Sequence, residues 1–460
     1  MRPIHLIASL VLALSPVLPS RAAEPVPAAG PEVAIDLLPA DAQWEVRYAL
    51  PAPATALRFV RVDREGHRAA RWTPVDPAFA IALEGDEEVV RRRDGKSFDH
   101  AAFRMLPRYV ALEKDYAPFS PFGDGGLLVH TGRFHACIDR CAGGERFRVS
   151  LQPPAGAHAI VDGRVVAAVR IDDGDAGTNV YVGSAEPVAT KDVVAVVDRA
   201  FPQATRARLE SLLPRLMAFY GGEFGALQER PMLYASHGAD YDGSGYGMQG
   251  GTLPGQVFMH MYGSIPESAA PAFAGRLDWF FAHEAAHLYQ HYPELEDTGD
   301  SWIHEGGADA MAAIALQSLG IVDEVALEAK LQASVEACAK GIAGHPLAVA
   351  HEHGAFDAFY ACGFVMQMAV EAGARRASHG QCGLACVWRD FQRRVAAGAP
   401  WNTDTFVAVA ADRTDADTVR FLRDAAGTVP AQPAAFLREG LARAGRPLPP
   451  PAPVAAAAPR

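Results

Sequence analysis

The sequence lacks three features, and each absence argues against a class of protein or site. After its first residues it has no apolar run of the about 20 residues that a membrane-spanning helix requires, so no membrane span is expected. It has no excess of basic residues, and its net charge of −12 argues against nucleic acid as a partner. Its 6 cysteines lack the spacing of a zinc ribbon, so a metal site built from cysteines is not expected.

The start of the chain indicates export. Residues 1–22 resemble a secretory signal: Arg2 supplies a positive charge, Leu6 to Leu14 is a short apolar run, and Ser20-Arg-Ala22 offers a small-x-small cleavage site. No cysteine follows that site, so a lipid anchor is not expected there. The mature protein is expected to be soluble and either periplasmic or secreted.

Cysteines in an exported chain usually form disulfides. Cys137 and Cys141 bracket a short loop and are the natural local pair. The other four cysteines allow three pairings, and the sequence does not choose among them. These four are Cys338, Cys362, Cys382 and Cys386.

Periodicity divides the rest of the chain into segments. Residues 23–195 contain short β-branched and aromatic runs separated by Gly, Pro and Asp, which predicts an antiparallel β-sandwich. The runs are Trp44–Tyr48, Leu57–Arg61, Arg146–Leu151, Val165–Ile171 and Val180–Val182. Residues 196–320 and 321–445 are mainly helical by pattern, and the Pro- and Ala-rich residues 446–460 are expected to be disordered.

The mainly helical part also contains two predicted strands. The predicted helices are Val196–Phe224, Trp302–Leu319, Val325–Ile342, Phe356–Val370, Phe391–Ala397, Thr405–Ala411, Thr418–Ala426 and Ala435–Ala444. The predicted strands are Arg230–Tyr234 and Gln256–Tyr262.

The segment His283-Glu284-Ala-Ala-His287 predicts a metal site. Four residues apart on a helix, His283 and His287 share one face and can bind one Zn²⁺. Glu284 points to another side, from which its carboxylate can take a proton from an attacking water. The alternative is a buried helix whose histidines bond to neighbouring carbonyls. It is disfavoured because two imidazoles and a carboxylate are costly to bury unpaired.

A second helix supplies the remaining candidates. A zinc site with two histidines needs a further protein ligand, and Glu305 is the candidate. Asp309 lies four residues later on the same helical face. There it can accept the second N–H of a ligating histidine, as a supporting partner and not as a ligand.

These two segments resemble the gluzincin metallopeptidases. The pattern His283-Glu284-Ala-Ala-His287 with Trp302 and Glu305-Gly-Gly-Ala-Asp309 is most similar to the aminopeptidase N / leukotriene hydrolase type and to the glycyl aminopeptidases. The segment between the second histidine and Glu305 is one residue shorter than is typical of those families. The resemblance implies one zinc ion per chain, peptide substrates, and a β-rich domain followed by a zincin (thermolysin-like) catalytic domain.

The resemblance also implies substrate-binding residues. In those families a Gly-Met-Glu-Asn segment holds the substrate backbone, and its glutamate binds the free amino terminus. Gly247, Met248 and Gln249 stand at this place. Since Gln249 is neutral, the carboxylate that would pair with an ammonium is missing, and endo- and exo-cleavage both stay open. A plain Gly-rich turn before a strand is the alternative interpretation.

By the same resemblance, Tyr360 in Tyr360-Ala-Cys-Gly363 is the tyrosine that stabilises the tetrahedral oxyanion. A neutral donor aimed at developing negative charge stabilises the transition state more than the substrate. The alternative is an aromatic residue on the buried face of the helix Phe356–Val370.

The sequence therefore predicts an α+β protein that is an exported zinc-dependent metallopeptidase, with Glu284 as general base. It does not predict the oligomeric state. Two alternatives use the same site: a zinc hydrolase of non-peptide substrates, and a non-catalytic exported binding protein that zinc stabilises.

Overall fold

The computed structural model describes most of the chain. The described ranges are 32–112, 115–141, 145–174, 176–238, 245–264, 270–291 and 298–449. The predicted signal segment 1–22, most of the loop between the two metal helices, and residues 450–460 of the predicted tail lie outside them. Within the described ranges, no helix combines the length and the apolar character needed to cross a bilayer.

The first part of the chain consists of short strands around an apolar core. Side chains alternate between faces: in the first strand Val33, Ile35 and Leu37 are buried, whereas the residues between them are partly exposed. The strands are β1 Val33–Ala40, β2 Gln43–Ala54, β3 Leu57–Phe59, β4 Thr73–Pro74, β5 Phe79–Glu84, β6 Glu87–Arg92, β7 Phe98–Met105, β8 Phe119–Pro121, β9 Leu127–His130, β10 Ala136–Ile138, β11 Phe147–Leu151, β12 His158–Val161, β13 Arg164–Val166, β14 Val169–Asp173 and β15 Asn179–Gly183. A short helix, α1 His67–Arg71, lies between β3 and β4.

These strands form three sheets. Their orders are β14-β11-β1-β2-β7-β4, β10-β3-β6-β5 and β13-β12-β15-β9-β8. Neighbouring strands are antiparallel, as predicted, except that β1 and β11 pair in parallel. The predicted run Val165–Ile171 is not one strand, because a bend at residues 167–168 separates β13 from β14.

A fourth, mixed sheet follows and forms one side of the candidate site. Its strands are β16 Val188–Ala189, β17 Val194–Val197, β18 Met232–Gly238, β19 Gly247–Leu253 and β20 Gln256–Tyr262. The order β16-β17-β18-β20-β19 places β19 at an edge, antiparallel to β20.

The predicted start of the helix Val196–Phe224 is wrong. Helix α2 spans Gln203–Phe224, and Val196 belongs to β17. The buried valines of β17 pair in parallel with β18, where β-branched side chains pack well. The predicted boundary at residue 195 therefore falls inside a strand of the fourth sheet.

Helices form the remainder. Most lie close to the predicted positions, but the helix predicted at Phe391–Ala397 begins at Leu384, and the one predicted at Phe356–Val370 continues to Ala377. They are α3 Ala270–His287, α4 Ser301–Ser318, α5 Glu324–Gly341, α6 Asp357–Ala377, α7 Leu384–Ala396, α8 Thr403–Ala411, α9 Ala416–Gly427 and α10 Pro433–Ala444, with a 3₁₀ segment at Leu347–His353. Most of α4 is buried, because α3 packs on one of its sides and α6 on another. This central position is consistent with its largely apolar sequence.

Two disulfides are present. Cys137 pairs with Cys141, as expected, and Cys338 pairs with Cys362. The second bond joins α5 to α6, and it leaves Cys382 and Cys386 as thiols. The predicted α+β organisation, with antiparallel sheets first and a helical part last, is confirmed.

Candidate metal centre

Three side-chain atoms converge between α3 and α4. The Nε2 atoms of His283 and His287 lie 3.0 Å apart, and Oε2 of Glu305 lies 3.3 Å from the first and 3.5 Å from the second. A tetrahedral Zn²⁺ with bonds of about 2.0–2.2 Å holds its ligand atoms about 3.3–3.5 Å apart. The two distances to Oε2 of Glu305 match this spacing, and the 3.0 Å between the two Nε2 atoms is slightly shorter. In the described part of the chain, no other group of three or more such side chains could hold a metal ion.

Each imidazole has a hydrogen-bond acceptor at its Nδ1 atom. Nδ1 of His283 lies 2.9 Å from Oδ1 of Asp309, which also accepts a hydrogen bond from the indole of Trp279 at 2.7 Å. Nδ1 of His287 lies 2.6 Å from Oε1 of Gln290. Because both partners are acceptors, they favour a proton on Nδ1 of each histidine, and each Nε2 is then the atom available to a metal ion.

The surroundings of Glu305 also fit a bound cation. Its Oε2 atom is buried, and within the described ranges no donor reaches it with hydrogen-bond geometry, although two imidazole nitrogens lie within 3.5 Å. A buried carboxylate oxygen without a donor is costly. A divalent cation at the centre of the three atoms would satisfy Glu305, His283 and His287 together.

The electrostatics of the site favour positive charge. Burial would lower the pKa of His283, but Asp309 and Glu305 raise that pKa well above its ordinary value. Burial would raise the pKa of Glu305, but the two histidines hold it well below its ordinary value. Glu305 is therefore ionised at neutral pH.

Glu284 lies beside this group and is held by β19. The hydroxyl of Thr252 lies 2.8 Å from Oε2 of Glu284 and 2.8 Å from its main-chain oxygen. Glu284 lines the same cleft as the three converging residues, and it is not one of them.

Tyr360 also lines the cleft. Its ring stacks on that of His283 with centroids 5.9 Å apart, and the residue is 39% exposed. The alternative of a residue buried in the helix core is therefore wrong. Partial burial and the carboxylates of Glu305 and Glu284 raise the pKa of Tyr360. The hydroxyl is a neutral donor at physiological pH.

The cleft has a volume of about 900 Å³ and draws residues from both parts of the chain. Tyr116, from the segment before β8, lines it, and burial and Glu284 raise the pKa of this tyrosine. His304 also lines it, and its ring stacks on His287 with centroids 4.0 Å apart. Sequence reasoning missed Thr252, Tyr116 and Gln290. Only Gln290 had a signal, since it follows the second histidine by three residues.

The predicted substrate segment begins the edge strand β19. Of Gly247, Met248 and Gln249, only Gln249 is among the residues that line the cleft, and its side chain is already engaged. Its Oε1 accepts a hydrogen bond from Tyr109 at 2.5 Å, and its Nε2 donates to the main-chain oxygen of Leu112. The amide of Gln249 therefore joins β19 to the β-rich part.

The chain was compared with known proteins. No family model and no curated protein matches it. Among solved structures, an aminopeptidase N family protein from Idiomarina loihiensis matches with a TM-score of 0.60 at 12% identity, covering 88% of this chain and 78% of that one. This match shows that the chain shares the fold of that protein.

Two further solved structures match less closely. A mutant of a two-domain M1 zinc metallopeptidase bound to L-arginine has a TM-score of 0.49 at 16% identity, with 87% and 95% of the two chains covered. Native yeast LTA4 hydrolase has a TM-score of 0.48 at 10% identity, with 88% and 68% covered.

Proposed function

We propose that this chain is a zinc-dependent hydrolase of peptide bonds, and that His283, His287 and Glu305 hold one Zn²⁺ per chain. The convergence of three donor atoms at 3.0–3.5 Å, beside the carboxylate of Glu284, is the observation that carries the proposal. The fold shared with an aminopeptidase N family protein supports peptides as the substrate class.

The residues of the cleft have separate roles. A Zn²⁺ bound here supplies Lewis acidity, which polarises a carbonyl and lowers the pKa of water. Glu284 takes the proton from the attacking water and then gives it to the leaving amine. Tyr360 donates a hydrogen bond to the oxyanion that develops on the substrate carbonyl. Asp309 and Gln290 keep the two imidazoles in one orientation and one tautomer.

The edge strand β19 supports binding of an extended peptide. Its far edge has no partner strand in the described part of the chain, and its residues 249–253 line the cleft. An extended segment can therefore add to the sheet by main-chain hydrogen bonds. Because Gln249 is bonded to Tyr109 and Leu112, we assign recognition to the main chain of β19 and not to the Gln249 side chain.

Export is part of the proposal. The signal-like segment 1–22 is its sequence basis, and the disulfides Cys137–Cys141 and Cys338–Cys362 support an oxidising compartment. N-terminal sequencing of protein recovered outside the cytoplasm tests it: a first residue near position 23 is expected, and an intact Met1 would contradict it.

Metal analysis and one variant test the enzymatic proposal. The purified protein should contain one zinc ion per chain, and a Glu284→Gln variant should keep this zinc. The wild type should cleave a mixed peptide library, read by mass spectrometry, and Glu284→Gln should not. A Glu186→Gln variant on the exposed surface is the matched control and should behave as wild type.

Each failure has its own meaning. Protein that takes up no zinc would reject the metal site. Zinc-loaded wild-type protein that leaves the library intact would reject peptide hydrolysis and favour the non-catalytic binding protein. Equal cleavage by wild type and Glu284→Gln would reject Glu284 as the base.

A further inference from the structure

The hydroxyl of Thr252 touches Glu284 at two places. It lies 2.8 Å from the carboxylate oxygen Oε2 and 2.8 Å from the main-chain oxygen of the same residue. Thr252 belongs to the edge strand β19, whereas Glu284 belongs to α3, so the contact joins two elements distant in sequence. Both residues line the cleft.

A threonine hydroxyl has one proton and can donate it to only one acceptor at a time. An ionised carboxylate is the stronger acceptor, since hydrogen bonds to charged groups are about twice as strong as neutral ones. While Glu284 is ionised, the proton of Thr252 therefore points at Oε2.

The position of Thr252 is fixed by its neighbours in β19. A Cβ on Gly251 would overlap the ring and hydroxyl of Tyr116, so that ring packs directly on the main chain beside Thr252. Gln249, two residues before Gly251, bonds to the side chain of Tyr109 and to the main chain of Leu112. Tyr116 itself is held by the ring of Phe258 at 4.6 Å between centroids. Tyr109, Leu112 and Tyr116, which precede β8, thus fix the position of β19, and Thr252 of β19 bonds to Glu284.

We propose that Thr252 is a positioning residue, which holds the Glu284 carboxylate in one rotamer in the cleft beside the candidate metal centre. The proposal rests on the proposed function, because it assigns Glu284 as the base. A glutamate side chain has three rotatable bonds, and without a fixed donor its carboxylate would divide its time among several rotamers. Thr252 acts on the reaction through Glu284 and does not itself contact the metal ligands.

Two substitutions at Thr252 distinguish the effect of its hydroxyl group from the effect of its side-chain shape. Thr252→Val keeps the volume and removes the hydroxyl, whereas Thr252→Ser keeps the hydroxyl and removes the methyl group. We expect Thr252→Val to lower kcat by roughly 10- to 100-fold, the range for loss of a supporting partner in a metal site, with KM and zinc content little changed. Thr252→Ser should restore most of kcat. Thr428→Val, at the exposed end of α9, is the matched control and should behave as wild type.

Three kinetic outcomes would overturn the proposal while leaving the proposed function intact. One is full kcat in Thr252→Val while Glu284→Gln is inactive. Another is an equal loss in Thr252→Val and Thr252→Ser, which would indicate packing in place of hydrogen bonding. The third is a rise in KM with unchanged kcat, which would place Thr252 in substrate binding.

A crystallographic readout tests the positioning without any activity. Zinc-soaked crystals of the wild type should show one well-defined Glu284 carboxylate within hydrogen-bond distance of Thr252. The Thr252→Val crystals should show that carboxylate in several rotamers, with unchanged positions for His283, His287 and Glu305. One identical rotamer in both crystals would overturn the proposal, even if the protein cleaves no peptide.

Discussion

Gly306 of α4 and Gly363 of α6 are in contact through their main chains. A Cβ on Gly306 would overlap the main chain of Gly363, and a Cβ on Gly363 would overlap the main-chain oxygen of Trp302. Gly306 directly follows Glu305, and Gly363 lies one turn after Tyr360. The close approach of the two helices therefore sets the distance between the candidate metal ligand and the candidate oxyanion donor.

A Gly363→Ala substitution should disturb both stability and the site. Overpacking of this contact should lower the free energy of unfolding by about 1–3 kcal/mol and displace Tyr360 from its place over His283. Thermal unfolding measures the first effect. The control is Gly427→Ala, because a Cβ on Gly427 at the end of α9 would meet no atom within 4 Å. An unfolding midpoint that does not move in Gly363→Ala would contradict the expected overlap.

Removal of zinc should destabilise the folded protein. An ion that binds only the folded state at about 100 times its Kd raises the free energy of unfolding by about 2.7 kcal/mol. Thermal unfolding with and without a chelator should therefore give two midpoints for the wild type. A His283→Ala variant should show one midpoint regardless of chelator, whereas the exposed-surface variant His100→Ala should respond as the wild type does.

An Asp309→Asn variant should bind zinc more weakly. Oδ1 of Asp309 accepts from both His283 and Trp279, and its charge raises the pKa of His283. The loss of this partner should reduce zinc affinity by roughly 10- to 100-fold. Competition with a chromophoric chelator measures the change. Affinity equal to that of the wild type would show that Asp309 does not orient the imidazole, and Asp86→Asn on the exposed surface is the control.

Tyr360→Phe should retain zinc and substrate affinity but lose turnover. The substitution removes only the hydroxyl, which we place opposite the metal as the donor to the oxyanion. Loss of one such donor lowers kcat by about 10²–10³-fold. Steady-state kinetics on the best peptide of the library, with zinc content measured in parallel, checks this. Unchanged kcat would assign Tyr360 to packing against His283 alone.

Cys382 and Cys386 should form a third disulfide in an oxidising compartment. They have the same separation in sequence as Cys137 and Cys141, which are bonded. Burial and the neighbouring thiol of Cys386 raise the pKa of Cys382 to about 12, so little of Cys382 is thiolate at neutral pH. Closing this short loop should stabilise the protein by about 2 kcal/mol.

Alkylation followed by peptide mapping tests this disulfide. Protein treated with oxidised glutathione should yield the peptide that joins Cys382 and Cys386, as the two thiols pass two electrons and two protons to the oxidant. The reduced sample and a Cys382→Ser variant are the controls. Both thiols labelled in the oxidised sample would contradict the pairing.

Local patterns made much of the site predictable. The spacing of His283 and His287 on an apolar helix, and of Glu305 and Asp309 on the next, depends on the 3.6-residue period alone. The structure brings these four side chains together, with the three proposed ligands facing one point. The helices from α4 onward could be predicted for the same reason, since each is an uninterrupted periodic segment.

Pairing with distant residues decided other features. Val196 has helical periodicity with the residues after it, but its place in a parallel strand beside β18 determines its conformation. Gln249 lines the cleft, and its amide is bonded to Tyr109 and Leu112. These two partners could not be identified from sequence, because they lie 140 and 137 residues from Gln249.

By itself the sequence determined the kinds of side chain that meet a metal ion and the helices that present them, because one helix turn fixes which residues share a face. The tertiary structure alone decided what surrounds that centre. It placed Thr252 against Glu284 and Tyr116 over β19 through contacts between separate elements. Such contacts depend on how whole elements pack. They cannot be predicted from the residues that neighbour each contact in sequence.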